Sequence, residues 1–129
     1  MSALVQHVEV GRSAMWFGLL GGAVAWTAHL LLAYAVAEFG CVSGFGERSY
    51  LGISIVAWLE VAVTVLTTVI AASAAIVAYR SHRILQSQQV DGAAAPEEDT
   101  ARAGLITSGI FTFIILFESI PIFYYLRAC

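Results

Sequence analysis

The chain has 129 residues, of which 60% are hydrophobic and 12% are charged, where a soluble domain of this size is about half apolar and about a quarter charged. The formal charge of −3 comes with no basic tract able to track phosphates, which excludes nucleic acid as a partner. The apolar excess is gathered into three long runs, which is the arrangement of an integral membrane protein rather than of a water-soluble core.

The first run is Ala14 to Glu38, the second Leu51 to Tyr79 and the third Ala103 to Leu126. Each is long enough, at about 1.5 Å per residue, to cross a hydrocarbon layer ~30 Å thick. None alternates as a barrel strand would, and a helix satisfies its own backbone hydrogen bonds in lipid. The expected fold is therefore an all-α membrane protein, one domain of three transmembrane helices at about 14–38, 51–79 and 103–126. The first run is too long for a cleaved signal peptide, and no small-x-small site closes it, so it is expected to be retained.

Orientation follows from the arginines. In a three-span arrangement Arg12, Arg80, Arg83 and Arg102 share one side, with Arg48 and Arg127 on the other. The excess belongs in the cytoplasm. This places the N-terminus and the second loop inside, and the first loop (Phe39 to Tyr50) and the C-terminus outside, in a multi-pass protein of a bacterial inner membrane. The stretch 86–101, running from Gln86 through Asp91-Gly92 to Glu97-Glu98-Asp99, is polar and aperiodic and reads as a flexible cytoplasmic linker.

Both cysteines, Cys41 and Cys129, fall on the outer face of this arrangement, where the compartment is oxidising. A disulfide between them is expected, and in the chain-entropy account so long a loop contributes about 4–5 kcal/mol. No CxxC spacing favours a thiolate metal site.

Each span carries one ionisable residue deep inside it: His29, Glu60 and Glu118. Counted from the expected outer helix ends, all three lie about 13 Å down. Ionisable groups are costly in lipid and turn towards a bundle interior or a partner, so the three are expected to meet. A hydrogen-bonded structural cluster, a face for a partner subunit, a metal site and a proton-handling group all remain open. A haem held by two histidines has no second candidate, since His7 and His82 lie outside the runs, and no cofactor is expected.

Two further features concern packing. Gly18 and Gly22, four apart with Ala14 one turn earlier, form a small-residue stripe that admits a neighbouring helix, and Ala71, Ala72, Ala74 and Ala75 can supply the facing surface. Pro121 removes the donor for the carbonyl of Phe117 and is expected to kink the third helix beside Glu118. Trp16, Tyr50, Tyr79, Tyr124 and Tyr125 fall where interfacial aromatic belts lie.

The first span reads GAVAWTAHL from Gly22 to Leu30, followed by Tyr34 and Cys41. The third reads GIFTFIILFESIPIF from Gly109 to Phe123, with Cys129 closing the chain. These segments resemble the small, poorly characterised bacterial membrane proteins encoded beside haem-copper (cytochrome c) oxidases, which carry Trp-x-x-His-Leu, a later Tyr and Cys, and an Ile-Pro before a final cysteine. Ala23 stands where that family has proline, and Glu118 where an amide is common. The resemblance covers the two ends of the chain, and the middle span matches in hydropathy alone. It implies a non-catalytic accessory subunit of a respiratory membrane complex, with Trp26, His29, Tyr34, Cys41, Pro121 and Cys129 at the matching positions. Its partners would be membrane lipids and the oxidase subunits or their electron-donor complex. An assembly factor delivering metal or haem, and a small proton or ion transport component, are the alternatives. Enzyme activity is not expected, because no nucleophile–base set, phosphate loop or zinc motif is present.

Overall fold

The computed structural model describes residues 10–88 and 96–125. They form three long helices, α1 (Arg12–Val42), α2 (Ile55–Ser87) and α3 (Pro96–Tyr125). All three are long and apolar enough to cross a membrane. Gly18 packs on Ala78 and Gly40 on Val56, so α1 and α2 run antiparallel; Gly18 also meets Gly104, and Gly22 meets Ser108, so α1 and α3 run parallel. The topology is up-down-up.

The helix ends differ from those of the apolar runs: the second helix, expected from Leu51, starts only at Ile55, because residues 51–54 belong to a hairpin. The second continues past Tyr79 through Arg80, His82 and Arg83 to Ser87, and His82 Nδ1 lies 4.0 Å from Glu98 Oε1, linking it to the third. The expected linker 86–101 is corrected at both ends: 89–95 lie outside the described residues, while Pro96 to Asp99 form the first turn of α3. Proline suits that position because its ring presets φ and the missing N–H would be unpaired there. Glu97, Glu98 and Asp99 face the positive end of the helix dipole.

Between α1 and α2 a short 3₁₀ turn, η1 (Phe45–Glu47), leads into a hairpin of β1 (Ser49–Tyr50) and β2 (Ile53–Ser54). Its two central residues, Leu51 and Gly52, have φ of 54° and 77°. This is the left-handed pair that a two-residue type I′ hairpin requires, and glycine supplies its half without strain. The hairpin is tied down by Trp58 Nε1–H donating to Tyr50 O (3.2 Å) and by Ile55 N–H donating to Arg48 O (2.9 Å). Ser54 Oγ then caps α2 by accepting from Ala57 N–H at 3.1 Å.

Burial is inverted relative to a water-soluble bundle. The buried positions of α2 include Glu60, Thr64, Thr67, Ala71, Ala74, Ala78 and Ser81. They advance in alternating steps of four and three, the heptad spacing that keeps one seam facing its neighbours. On α1 the seam is Gly18, Gly22, Ala25, His29, Ala33 and Gly40, and on α3 it includes Ala101, Gly104, Ser108, Ile115 and Ser119. Small and polar side chains thus fill the inside. Large ones such as Leu31, Val24, Leu66, Val69, Phe113 and Ile120 point outward.

Candidate functional site: a polar layer across the seam

The small seam brings backbones into contact. A Cβ on Gly21 would stand 2.7 Å from Ala74 Cβ, and one on Gly22 would stand 2.6 Å from Ser108 Cα. The expected Gly18–Gly22 stripe is therefore a packing surface, shared between both neighbouring helices. Ser108 uses this proximity: its Oγ–H donates to Gly18 O (2.7 Å), and its oxygen accepts from Gly22 N–H (3.3 Å). One hydroxyl so addresses both ends of a single i→i−4 rung of α1, fixing α3 against it.

Nearer the hairpin end, the seam changes from alanine to hydroxyls around His29, which is completely buried. Thr67 Oγ–H donates to Val63 O at 2.8 Å, so its oxygen accepts from His29 Nδ1–H at 3.1 Å. Nε2 faces Ser119 Oγ at 3.5 Å, and Ser119 in turn donates to Ile115 O (2.7 Å) and accepts from Thr64 Oγ–H (3.1 Å). All three helices contribute to this layer: imidazole from α1, two threonines from α2, one serine from α3. Directly beneath it lies an apolar plug of Ala25, Ala71 and Ile115, each 2% exposed or less.

The two glutamates occupy different surroundings. Glu60 is completely buried, and neither carboxyl oxygen has a hydrogen-bond partner. It lies seven residues from Thr67, the partner of His29, which is about 10 Å along the helix. Glu118 is half-buried and accepts from Trp26 Nε1–H at 3.0 Å through Oε2. The Trp26 ring packs on Phe111 with centroids 5.3 Å apart.

The expected meeting of His29, Glu60 and Glu118 at one level is thus corrected. His29 and Glu118 share a level, next to Ser119, and Glu60 sits two turns nearer the hairpin. The cause lies in the helix ends: α1 runs on to Val42, thirteen residues past His29, while α2 begins at Ile55, only five before Glu60. Among the described residues, no three His, Cys, Asp or Glu side chains gather as metal ligands.

Cys41 is exposed in the last turn of α1, and no described cysteine is a free thiol. Its expected partner Cys129 lies outside the described residues. Pro121 lies within α3, which continues to Tyr125. Trp16, Tyr50, Tyr79 and Tyr124 are all exposed; Tyr50 lies in the hairpin and Tyr79 eight residues before the end of α2.

The residues missed from sequence were Thr64, Thr67, Ser108 and Ser119, together with Gly21, Gly40 and Gly104. Their signal was the heptad spacing of small and hydroxyl side chains, as in Gly104-x-x-x-Ser108, rather than any single residue. The chain matches no protein-family model, no curated protein and no solved structure.

Proposed function

We propose that this chain is a non-catalytic, three-pass subunit of a larger respiratory membrane complex in a bacterial inner membrane, associated with a haem-copper oxidase or its electron donor. The observation that carries the membrane reading is the inversion of burial, with glycine, alanine, serine and threonine inside and leucine, valine, isoleucine and phenylalanine outside. Water would penalise such an exterior on every side, whereas lipid accepts it and leaves close backbone packing to hold the helices. The respiratory assignment draws on the resemblance at Trp26, His29, Tyr34, Cys41, Pro121 and Cys129. The arginine distribution supports a cytoplasmic N-terminus and a periplasmic hairpin. A Cys41–Cys129 disulfide on that periplasmic side belongs to the same proposal, supported by the redox compartment.

The test is extraction of native membranes in mild detergent. The protein is expected to co-migrate with oxidase subunits, and migration alone removes the reading. The buried, unpartnered Glu60 favours one second reading, a proton or ion transport component. The Ala25–Ala71–Ile115 plug across the seam opposes a continuous path, and a proteoliposome assay without ion or proton flux would retire it.

A further inference from the structure

The face shared by α1 and α2 at the hairpin end is hollow. A groove of about 410 Å³ runs there from Leu32 to Ser43 on α1, with Ile55 and Leu59 of α2 across it, a size within the ~300–1,000 Å³ of small-molecule sites. Gly40 and Val56, both buried, also line it, while Leu32, Phe39 and Leu59 are exposed. Every lining side chain is hydrocarbon except Ser43, whose hydroxyl donates to Phe39 O in its own helix. From Leu32 to Ser43 the helix rises about 16 Å, about half of a ~30 Å hydrocarbon layer and so the depth of one leaflet. Phe45 of η1 lines the hairpin end, and the Arg48 guanidinium stands over that ring, 5.2 Å from its centroid. Arg48 is exposed, and no carboxylate among the described residues pairs with it.

We propose that this groove holds one acyl chain of a membrane phospholipid, with the lipid's phosphate on Arg48. Length and lining select hydrocarbon: the groove is one leaflet deep, and its one hydroxyl is already spent. The cation at its hairpin end selects the phosphate, because a guanidinium presents paired N–H donors that match phosphate oxygens, and an arginine at the membrane surface attracts such headgroups. Glu47, exposed and next to Arg48 in the chain, offsets the net charge. The site therefore recognises the phosphate diester common to phospholipids rather than an additional anionic group. A transmembrane helix is a poorer occupant, being about 10 Å wide and needing to continue past the end that Phe45 lines. The inference needs the helices to lie in a membrane and is independent of the respiratory assignment.

The test is native mass spectrometry of the full-length protein released from detergent micelles. It is titrated with palmitoyl-oleoyl phosphatidylethanolamine or with palmitoyl-oleoyl glycerol, which has the same chains and no phosphate. Wild type is expected to retain the phospholipid about tenfold more tightly than the diacylglycerol, the weight of one charged contact. Arg48→Gln should weaken phospholipid retention about tenfold, to the diacylglycerol level. Ala35→Phe, which fills the groove from its α1 wall, should remove both lipids. Val69→Phe, at an exposed position of α2 outside the groove, should leave both. In native membranes, a benzophenone amino acid at Leu59 should give phospholipid adducts. Equal retention of the two lipids by wild type, unchanged retention in Arg48→Gln, or wild-type retention in Ala35→Phe overturns the proposal. Adducts at Leu59 to protein alone, whether a second copy of this chain or another, overturn it too. The comparison of lipids on wild type and the substitution at exposed Arg48 decide the matter even if Ala35→Phe fails to fold.

Discussion

Gly22→Ala tests the seam most directly. The added methyl carbon would lie 2.6 Å from Ser108 Cα, 2.8 Å from its Oγ and 3.0 Å from its Cβ, where ordinary contact begins at 3.4 Å. Two of these atoms belong to a short side chain pinned by its own hydrogen bonds and the third is backbone, so α1 and α3 must separate. Overpacking of this kind costs about 1–3 kcal/mol. Separation also strains the two bonds of Ser108, to Gly18 O and from Gly22 N–H, each worth ~0.6 kcal/mol between membrane helices. The better helix propensity of alanine returns about 0.5–1 kcal/mol. The net expectation is a loss of about 1–3 kcal/mol. The measurement is reversible unfolding in mixed micelles with increasing SDS, followed by helical circular dichroism. Gly109→Ala is the control, because a Cβ there meets nothing within 4 Å; it should gain stability by about 0.4–1 kcal/mol. If Gly22→Ala stays within ~0.5 kcal/mol of wild type, or is no less stable than Gly109→Ala, the close-packed seam is wrong.

Glu60→Met replaces an unpartnered buried carboxyl with an apolar side chain of similar volume, and should raise stability in the same assay by about 1–3 kcal/mol; a loss would show that Glu60 has a partner. Thr67→Val keeps the shape but removes the oxygen that accepts from His29 Nδ1–H, so a destabilisation of about 1–3 kcal/mol is expected. Equal stability of that variant would refute the contact. For the cysteines, an impermeant thiol reagent applied to intact cells should label both Cys41 and Cys129 only after reduction. Labelling without reduction, or of one cysteine alone, would refute the disulfide or the three-pass arrangement.

The three helices were legible because hydropathy reports the exterior, and the exterior of this bundle is almost wholly apolar. Their ends were not: α1 extends beyond its apolar stretch on both sides, α2 starts four residues inside its own and ends eight beyond it, and α3 starts seven residues early. Pro96-Glu97-Glu98-Asp99 resembles a solvated linker in composition, yet proline followed by acids is also how a helix begins, and the structure takes the second course. The hairpin escaped notice because Leu51-Gly52 lacks the Asn-Gly or Asp-Gly that usually marks a type I′ turn. At the site, the burial of His29 and Glu60 followed from their position deep in apolar runs. The partners of His29 did not, because serine and threonine are scattered through all three spans, and only the register of the helices selects Thr64, Thr67 and Ser119. Register in turn depended on where α1 ends and α2 begins, and a few residues of error at each moved Glu60 two turns away from His29.

The distribution of side-chain size decides what stabilises this bundle. Among the described residues, the fully sealed apolar side chains larger than alanine are Val56 and Ile115, far too few to hold three helices of about thirty residues by removing apolar area from water. Contact must come instead from backbone approach at Gly18, Gly21, Gly22, Gly40 and Gly104 and from hydroxyl bonds between helices. Such forces are individually weak and depend on distance, so they specify register more strongly than they resist separation. They can prevail only where large outward side chains gain nothing by collapsing inward, which is the situation in lipid. The same reasoning distinguishes the two glutamates. Glu60 is sealed in the seam with neither oxygen partnered, at a cost the rest of the interface must carry. Glu118 sits at the edge of the seam with one oxygen held by Trp26.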